Sequence, residues 1–147
     1  MLKRFSCFIS SEVFEEVVTR GKGGLYEDAF IIEKLVNANI LKVMKADENE
    51  IAKDILQERE ELGAGEKSTL HLFFSLRADA ILSDDRTFLR VLKAKEIPFI
   101  VPSEIITRFV EIKAVSREEG LGYLNRLKPY ITRENYLAAK RVITGGS

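Results

Sequence analysis

The chain has 147 residues, of which 46% are hydrophobic and 31% charged, and its 23 lysines and arginines balance 23 aspartates and glutamates. This length and composition are typical of one globular domain and exclude a disordered tail, a fibre and a coiled coil. The charge balance also excludes a strongly basic nucleic-acid-binding arm, so any basic surface must be local.

Strand-like and helix-like hydrophobic patterns alternate along the first half of the chain. A short apolar run at 7–9 predicts a strand, and Ser10 or Ser11 then caps a helix that runs through Thr19 and ends at a glycine cluster. The next predicted elements are a helix over 26–37, a half-exposed strand over 41–45 and a helix over 49–61.

The same alternation continues after the glycine-containing turn at 63–65. The spacing predicts a helix over 66–76, a strand over 80–82, a helix over 86–95 and a strand over 97–101. Three further helices are predicted from their first residues: one opened by Pro102, one from the capping box of Ser116 and Glu119 to about Leu127, and one capped by Thr132 that runs through about Ile143.

Brief apolar strands that alternate with helices through short links predict an α/β fold. We expect a three-layer arrangement, with one parallel sheet covered by helices on both faces. The last two helices have no strand between them and are predicted to form a helical extension. Because ligands of open parallel sheets lie beyond the carboxyl ends of the strands, the residues after Ile9, Leu82 and Val101 are the first place to search for a site.

Acidic residues stand at or near three strand–helix junctions. Asp84 and Asp85 follow the strand over 80–82, Glu66 opens the helix after the glycine turn, and Glu16 lies on the first helix. Asp84 and Asp85 alone are equally well explained as helix caps or partners of the helix dipole, and the same explanation applies to Glu66. Glu16 alone is better explained as a solvated side chain. In a shared crevice, however, such a cluster needs a cation, and Mg²⁺ or Mn²⁺ is the natural occupant of an all-oxygen site. A divalent ion held in this way activates water and neutralises charge in phosphodiester hydrolysis.

Basic residues follow the paired acids on the same predicted helix. Arg86 and Arg90 are candidates for binding a nucleic-acid backbone, and a solvated helix face is the alternative interpretation. Further cations lie on the C-terminal helices, but no aromatic-rich basic surface is evident in the sequence.

The remaining reactive side chains predict no second chemistry. The single cysteine, Cys7, cannot form an intramolecular disulfide, which fits a cytoplasmic protein, and it is interpreted as a core residue rather than a nucleophile. One cysteine and one histidine exclude a Cys/His zinc site, and His71 is interpreted as an ordinary histidine rather than a catalytic base. No apolar run reaches the roughly 18–20 residues that a membrane span needs, and no signal-peptide pattern is present.

Several of these motifs, in this order, resemble the core of a PIN domain. Gly65-Glu66 before an amphipathic helix, and then the segment over 78–85 that ends in Asp84-Asp85, are similar to the family's central motifs. The segment over 8–17 is similar to the family's second strand and following helix, with Glu16 in the place of the family's glutamate. The strand over 97–101 and the helical ending also fit, so the resemblance covers most of the chain.

The resemblance implies an α/β domain over 1–110 and a C-terminal helical extension of the same domain over 111–147. It implies a Mg²⁺- or Mn²⁺-dependent endoribonuclease, and many prokaryotic members of the family are toxins restrained by a small antitoxin protein. Glu16, Glu66 and either Asp84 or Asp85 would hold the metal. Asp84 fits best by its spacing of 18 residues from Glu66, whereas Asp85 fits best when counted back from Phe88.

One departure from the family pattern gives rise to an alternative. The family begins with a central strand that carries an acid, whereas residues 1–5 resemble the tail of the family's first helix. We therefore expect a missing first strand, weaker metal binding and exposed sheet edges that favour a homodimer. The alternative function is a catalytically silent module that binds a protein. A phosphatase-like hydrolase with Asp84 or Asp85 as nucleophile is a third, weaker hypothesis.

Overall fold

The computed structural model describes residues 5–23 and 27–146, and the chain divides into two compact units, with the boundary in the sequence after Asp79. Within the described residues, each unit contains one two-stranded parallel sheet, together with its own helices. The mixed helix and strand content agrees with the predicted α/β class. The strand pairing is parallel in both units, as predicted, while a single sheet covered on both faces stays a prediction.

The first unit alternates two strands with five α-helices among its described residues. Its two strands pair in parallel, with Cys7 aligned with Leu41. In chain order the elements are β1 Cys7–Ser10, α1 Ser11–Phe14, a π-helical turn Glu15–Thr19, α2 Arg20–Gly23, α3 Glu27–Asn37, β2 Leu41–Met44, α4 Glu50–Leu56 and α5 Ala64–Leu76.

A buried serine joins the first strand to the helices of this unit. The Ser10 hydroxyl accepts a hydrogen bond from the Val13 backbone N–H at 3.1 Å, which makes Ser10 the N-cap of α1, as predicted. The same hydroxyl lies 2.6 Å from the Ser68 hydroxyl on α5, and the Ser10 side chain is fully buried. This pair of hydroxyls fixes the carboxyl end of β1 against α5, because each buried polar atom needs its partner.

Two helices of the first unit end at residues other than those predicted. The first helix continues past Thr19 to Gly23 through its π-helical turn. The helix predicted over 49–61 ends at Leu56, because the chain turns there and buries Leu62, which is only 3% exposed. Burial of this leucine is a tertiary demand that the helical pattern of the segment does not reveal.

Over residues 80–146, the second unit has two short strands, four α-helices and a 3₁₀ turn. Its strands align Ile81 with Phe99 and Leu82 with Ile100. In chain order the elements are β3 Ile81–Leu82, α6 Arg86–Ala94, β4 Phe99–Ile100, α7 Pro102–Glu111, α8 Arg117–Leu127, a 3₁₀ turn Lys128–Tyr130 and α9 Arg133–Thr144.

Local capping defines the C-terminal helices, as the sequence predicted. Ser116 and Glu119 form a reciprocal capping box at the start of α8, with hydrogen bonds of 2.8 and 3.0 Å. Thr132 caps α9 by accepting from the Asn135 N–H at 3.1 Å. Helices α7, α8 and α9 then pack around a buried apolar cluster of Ile106, Leu124, Ala139 and Ile143.

Candidate functional site

Glu16 lies against the first turn of α5. Its Oε2 is so close to Gly65 that a Cβ built at position 65 would stand 2.6 Å from it. Only glycine allows this approach, since the Cβ atom of a side chain essentially never comes within 3.0 Å of a heavy atom from a residue that is not its chain neighbour. Glu16 itself belongs to the π-helical turn Glu15–Thr19. This geometry is rare in proteins as a whole, but where it occurs it is often at a functional site. The fold therefore brings Glu16 next to the turn that carries Glu66.

Glu66 caps the helix on which it stands. Its Oε2 accepts a hydrogen bond from the Gly63 backbone N–H at 2.6 Å, and this bond lets α5 begin at Ala64 rather than at residue 66. The capping interpretation that the sequence left open therefore describes a real contact. A carboxylate offers about four lone-pair sites, so one hydrogen bond leaves the half-buried Glu66 able to accept others.

Asp84 and Asp85 have different partners, although they are adjacent in sequence. Asp85 is the N-cap of α6, and its Oδ1 accepts from the Phe88 N–H at 2.8 Å. Asp84 is half-buried, and its Oδ1 lies 3.5 Å from the side-chain nitrogen of Asn135 on α9, which is a weak hydrogen bond. Asp85 thus has a structural role that accounts for it, whereas Asp84 retains most of its capacity to bind a ligand.

A basic groove runs along α6. Arg86, Arg90 and Lys93 recur at helical spacing and, together with Leu89 and Phe99, line a cavity of about 340 Å³. None of the three cations forms an ion pair with another residue in the described ranges. Arg86 and Arg90 were predicted to bind nucleic acid. The contribution of Phe99 was not predicted, because it comes from β4 and no local pattern links that strand to α6.

The chemistry of these donors fits a hard divalent cation, because every predicted ligand is a carboxylate. The positions of these side chains support a metal site less strongly than their chemistry does. Among the residues that the structure describes, no three histidine, cysteine, aspartate or glutamate side chains are grouped so that they could hold a metal ion. Glu16 and Glu66 belong to the first unit, and Asp84 and Asp85 belong to the second.

Neither His71 nor Cys7 has the surroundings of a catalytic group. The His71 Nδ1 accepts a hydrogen bond from the Asn49 backbone N–H at 3.0 Å, which places its proton on Nε2 and gives it a structural role between α5 and the start of α4. Burial raises the pKa of the Cys7 thiol above its usual range, which disfavours the reactive thiolate.

Comparison with known proteins gives one match. The family model DUF3368, described as a PIN domain, matches residues 2–139. No curated protein and no solved structure matches the chain. In the portions of the chain that the structure describes, every helix is too short or too polar to cross a membrane.

Proposed function

The chain belongs to the PIN-domain family, and from this premise we propose that it is a Mg²⁺- or Mn²⁺-dependent endoribonuclease that cleaves cytoplasmic RNA. The biological setting that we propose is that of a toxin restrained by a small antitoxin protein. One observation supports the ribonuclease most directly. The Glu16 carboxylate has no hydrogen-bond or ion-pair partner among the described residues, yet it lies against the helix start that carries Glu66. An unpaired carboxylate oxygen can bind a hard cation such as Mg²⁺, and Glu66 stands on the adjacent helix turn as a second oxygen donor.

The proposed metal ligands are Glu16, Glu66 and Asp84. Asp85 is the alternative to Asp84, and it is the less favoured of the two because its Oδ1 already caps α6. The ion, when bound, lowers the pKa of a water molecule and neutralises charge that develops on the phosphate oxygens. The donor set supports this assignment, since carboxylate oxygens are the ligands that Mg²⁺ and Mn²⁺ prefer.

The chain's own residues have three tasks in this proposal. The carboxylates of Glu66 and Asp84 orient the attacking water, and the Asp84 carboxylate accepts its proton. Arg86 and Arg90 hold the phosphate backbone from the basic groove on α6. Hydrolysis forms one bond from the water oxygen to phosphorus and breaks one P–O ester bond. The products are a strand with a phosphate monoester end and a strand with a free hydroxyl, and no covalent enzyme intermediate is needed.

A cleavage assay with charge-neutral variants tests the proposal. The chain is incubated with fluorescent single-stranded RNA and Mn²⁺, with and without EDTA, and compared with Glu66→Gln and Asp84→Asn. Glutamine keeps an oxygen that can accept the Gly63 N–H, so the helix start survives while the ligand charge is lost. Since removal of a residue that merely supports a ligand costs about 10–100-fold, removal of a ligand should cost at least about 100-fold.

Asp79→Asn is the matched control, because Asp79 is an exposed aspartate close to β3 with no assigned role. Its cleavage rate should equal that of the parent chain. The proposal is rejected if the parent cleaves RNA equally well in EDTA, or if Glu66→Gln retains full activity while remaining folded.

A specific observation favours a second candidate, the catalytically silent protein-binding module. Leu82 and Ile100 occupy aligned positions of β3 and β4, and they are 54% and 39% exposed. Exposed apolar neighbours on a sheet are typical of surfaces that another chain covers. Light scattering would show a dimer that Leu82→Ser with Ile100→Ser converts to a monomer. Metal-dependent cleavage by the unmodified chain would exclude the silent module.

A further inference from the structure

The end of α8, the 3₁₀ turn and α9 concentrate positive charge in a chain that is neutral as a whole. Residues 126–141 contain one acid, Glu134, against a set of five cations: Arg126, Lys128, Arg133, Lys140 and Arg141. None of these five forms an ion pair with another described residue. Their charge is therefore available to an external anion, because no carboxylate of the described fold neutralises it.

Two tyrosines stand among these cations. Lys128 Nζ lies 5.1 Å from the centre of the Tyr136 ring, and Lys140 Nζ lies 6.0 Å from the same centre. The Tyr136 hydroxyl donates to Asn125 Oδ1 at 2.8 Å, which holds the ring between α8 and α9. Tyr130, on the connecting 3₁₀ turn, is 74% exposed. We name the set Lys128, Tyr130, Tyr136 and Lys140 the tyrosine–lysine surface.

This surface leads to one of the candidate metal ligands. Asn135 directly precedes Tyr136, and its side-chain nitrogen is the group that lies 3.5 Å from Asp84 Oδ1. Successive residues point about 100° apart around a helix, so an extended ligand bound at Tyr136 would lie within roughly one helix diameter, about 10–12 Å, of Asp84. The basic groove on α6 begins at Arg86, two residues after the same aspartate.

We infer that the tyrosine–lysine surface binds single-stranded RNA and guides the strand toward Asp84. Lysines can neutralise its phosphates, and an exposed tyrosine offers a face on which an unpaired base can stack. An acidic polypeptide would bind to the cations alone and would gain no affinity from the Tyr130 ring. The presence of both lysines and an exposed aromatic ring therefore favours a nucleic acid as the ligand. The identity of the ligand rests on the proposed ribonuclease function, but binding is measurable without any cleavage.

The test measures binding of a fluorescein-labelled oligouridine to the full chain by anisotropy in EDTA, over a series of salt concentrations. The variant Lys128→Gln with Lys140→Gln should bind on the order of tenfold more weakly, and the slope of log affinity against log salt should fall by about 1.4, at about 0.7 per lost phosphate contact. Lys45→Gln with Lys53→Gln is the matched control, because both lysines are exposed and the net charge changes equally. This control should keep most of the affinity and the full slope.

A second pair of variants tests the stacking separately from the charge. Tyr130→Ala should weaken binding by roughly 5- to 160-fold, the range expected for one lost base–aromatic contact. Tyr130→Phe should bind as the parent does, because it keeps the ring. Since Tyr130 is 74% exposed, neither change removes a core side chain, and circular dichroism is used to check that each variant is folded.

The outcomes separate this inference from the proposed function. Weaker binding in the two surface variants, with RNA cleavage absent throughout, supports the surface and counts only against the ribonuclease. Equal loss of affinity in the surface variant and the matched control overturns the inference, since net charge alone would explain binding. Poly-L-glutamate that binds as tightly as the RNA, with Tyr130→Ala without effect on either, also overturns it and assigns the surface to an acidic protein.

Discussion

Gly65 and Glu16 are in contact across the interface between α5 and the first helix, and the contact leaves no room for a side chain at position 65. The nearest atom to a Cβ there is Glu16 Oε2 at 2.6 Å, and the next is Val13 Cγ2 at 3.3 Å. The nearer atom is the end of a flexible side chain, which can move aside. A methyl group at position 65 should therefore displace the carboxylate rather than disrupt the fold.

Gly65→Ala thus provides a test of Glu16 that leaves the glutamate in place. We expect the free energy of unfolding in urea to stay within about 1 kcal/mol of the parent, because the higher helix propensity of alanine offsets the small adjustment of Val13. Metal-dependent RNA cleavage should fall sharply, since the displaced carboxylate no longer lies at the start of α5. Gly122→Ala is the control: nothing lies within 4 Å of its Cβ, so stability should rise slightly and cleavage should not change. Full cleavage by Gly65→Ala would remove Glu16 from the site.

Glu66 is predicted to have two separable roles, one in capping α5 and one in metal binding. Glu66→Ala removes the bond to the Gly63 N–H and should lower the free energy of unfolding by about 1 kcal/mol. Glu66→Gln should lose less stability than Glu66→Ala, because its amide oxygen can still accept that hydrogen bond. Both variants should lose Mn²⁺ binding, measured by isothermal titration calorimetry. Equal Mn²⁺ affinity in the parent and Glu66→Gln would show that the carboxylate only caps the helix.

The features that could be predicted well from the sequence are those that depend on interactions between residues only a few positions apart. The capping box of Ser116 and Glu119 and the cap at Thr132 form because partners three residues apart meet whenever a helix starts there. The strand–helix alternation also holds, since apolar periodicity reflects which face of each element is buried.

The features that the sequence did not predict depend on residues far apart in the chain. Asp84 and Asn135 are separated by 51 positions, and no local pattern joins them. Tyr136 gains its lysines from both sides of a turn, so the tyrosine–lysine surface exists only once α8 and α9 are packed. The π-helical turn at Glu16 is likewise a product of packing, because the sequence there reads as ordinary helix.

The paired aspartates should separate into a structural residue and a functional one. Asp85→Ala should lower the free energy of unfolding by about 1 kcal/mol, because it removes the N-cap of α6. Asp85→Ser should restore most of that loss, since serine is also a good cap. Asp84→Ala should change stability less but abolish cleavage, as the only side-chain hydrogen bond of Asp84 among the described residues is the long one to Asn135. Urea unfolding and the cleavage assay, performed on the same preparations, decide between them. Cleavage that depends on Asp85 and not on Asp84 would reverse the assignment.

The Cys7 thiol should be a slow nucleophile with a pH dependence shifted to higher pH. Burial raises its pKa in the folded chain, so the folded state keeps the thiol proton at pH values where the unfolded chain has lost it. The resulting contribution to stability is complete below the pKa of the unfolded thiol, about 8.5, and is lost as the pH rises through the folded value. Alkylation by iodoacetamide, followed by mass spectrometry over a series of pH values, should therefore show a higher midpoint for the native chain than for the chain in concentrated urea. The native rate must not change at urea concentrations below the unfolding transition, so that reaction through transient unfolding is excluded. Cys7 is only partly buried, so the interpretation of it as a core residue is wrong. A native midpoint equal to the unfolded one would contradict the effect of burial, and one below it would mean that Cys7 is an activated thiol.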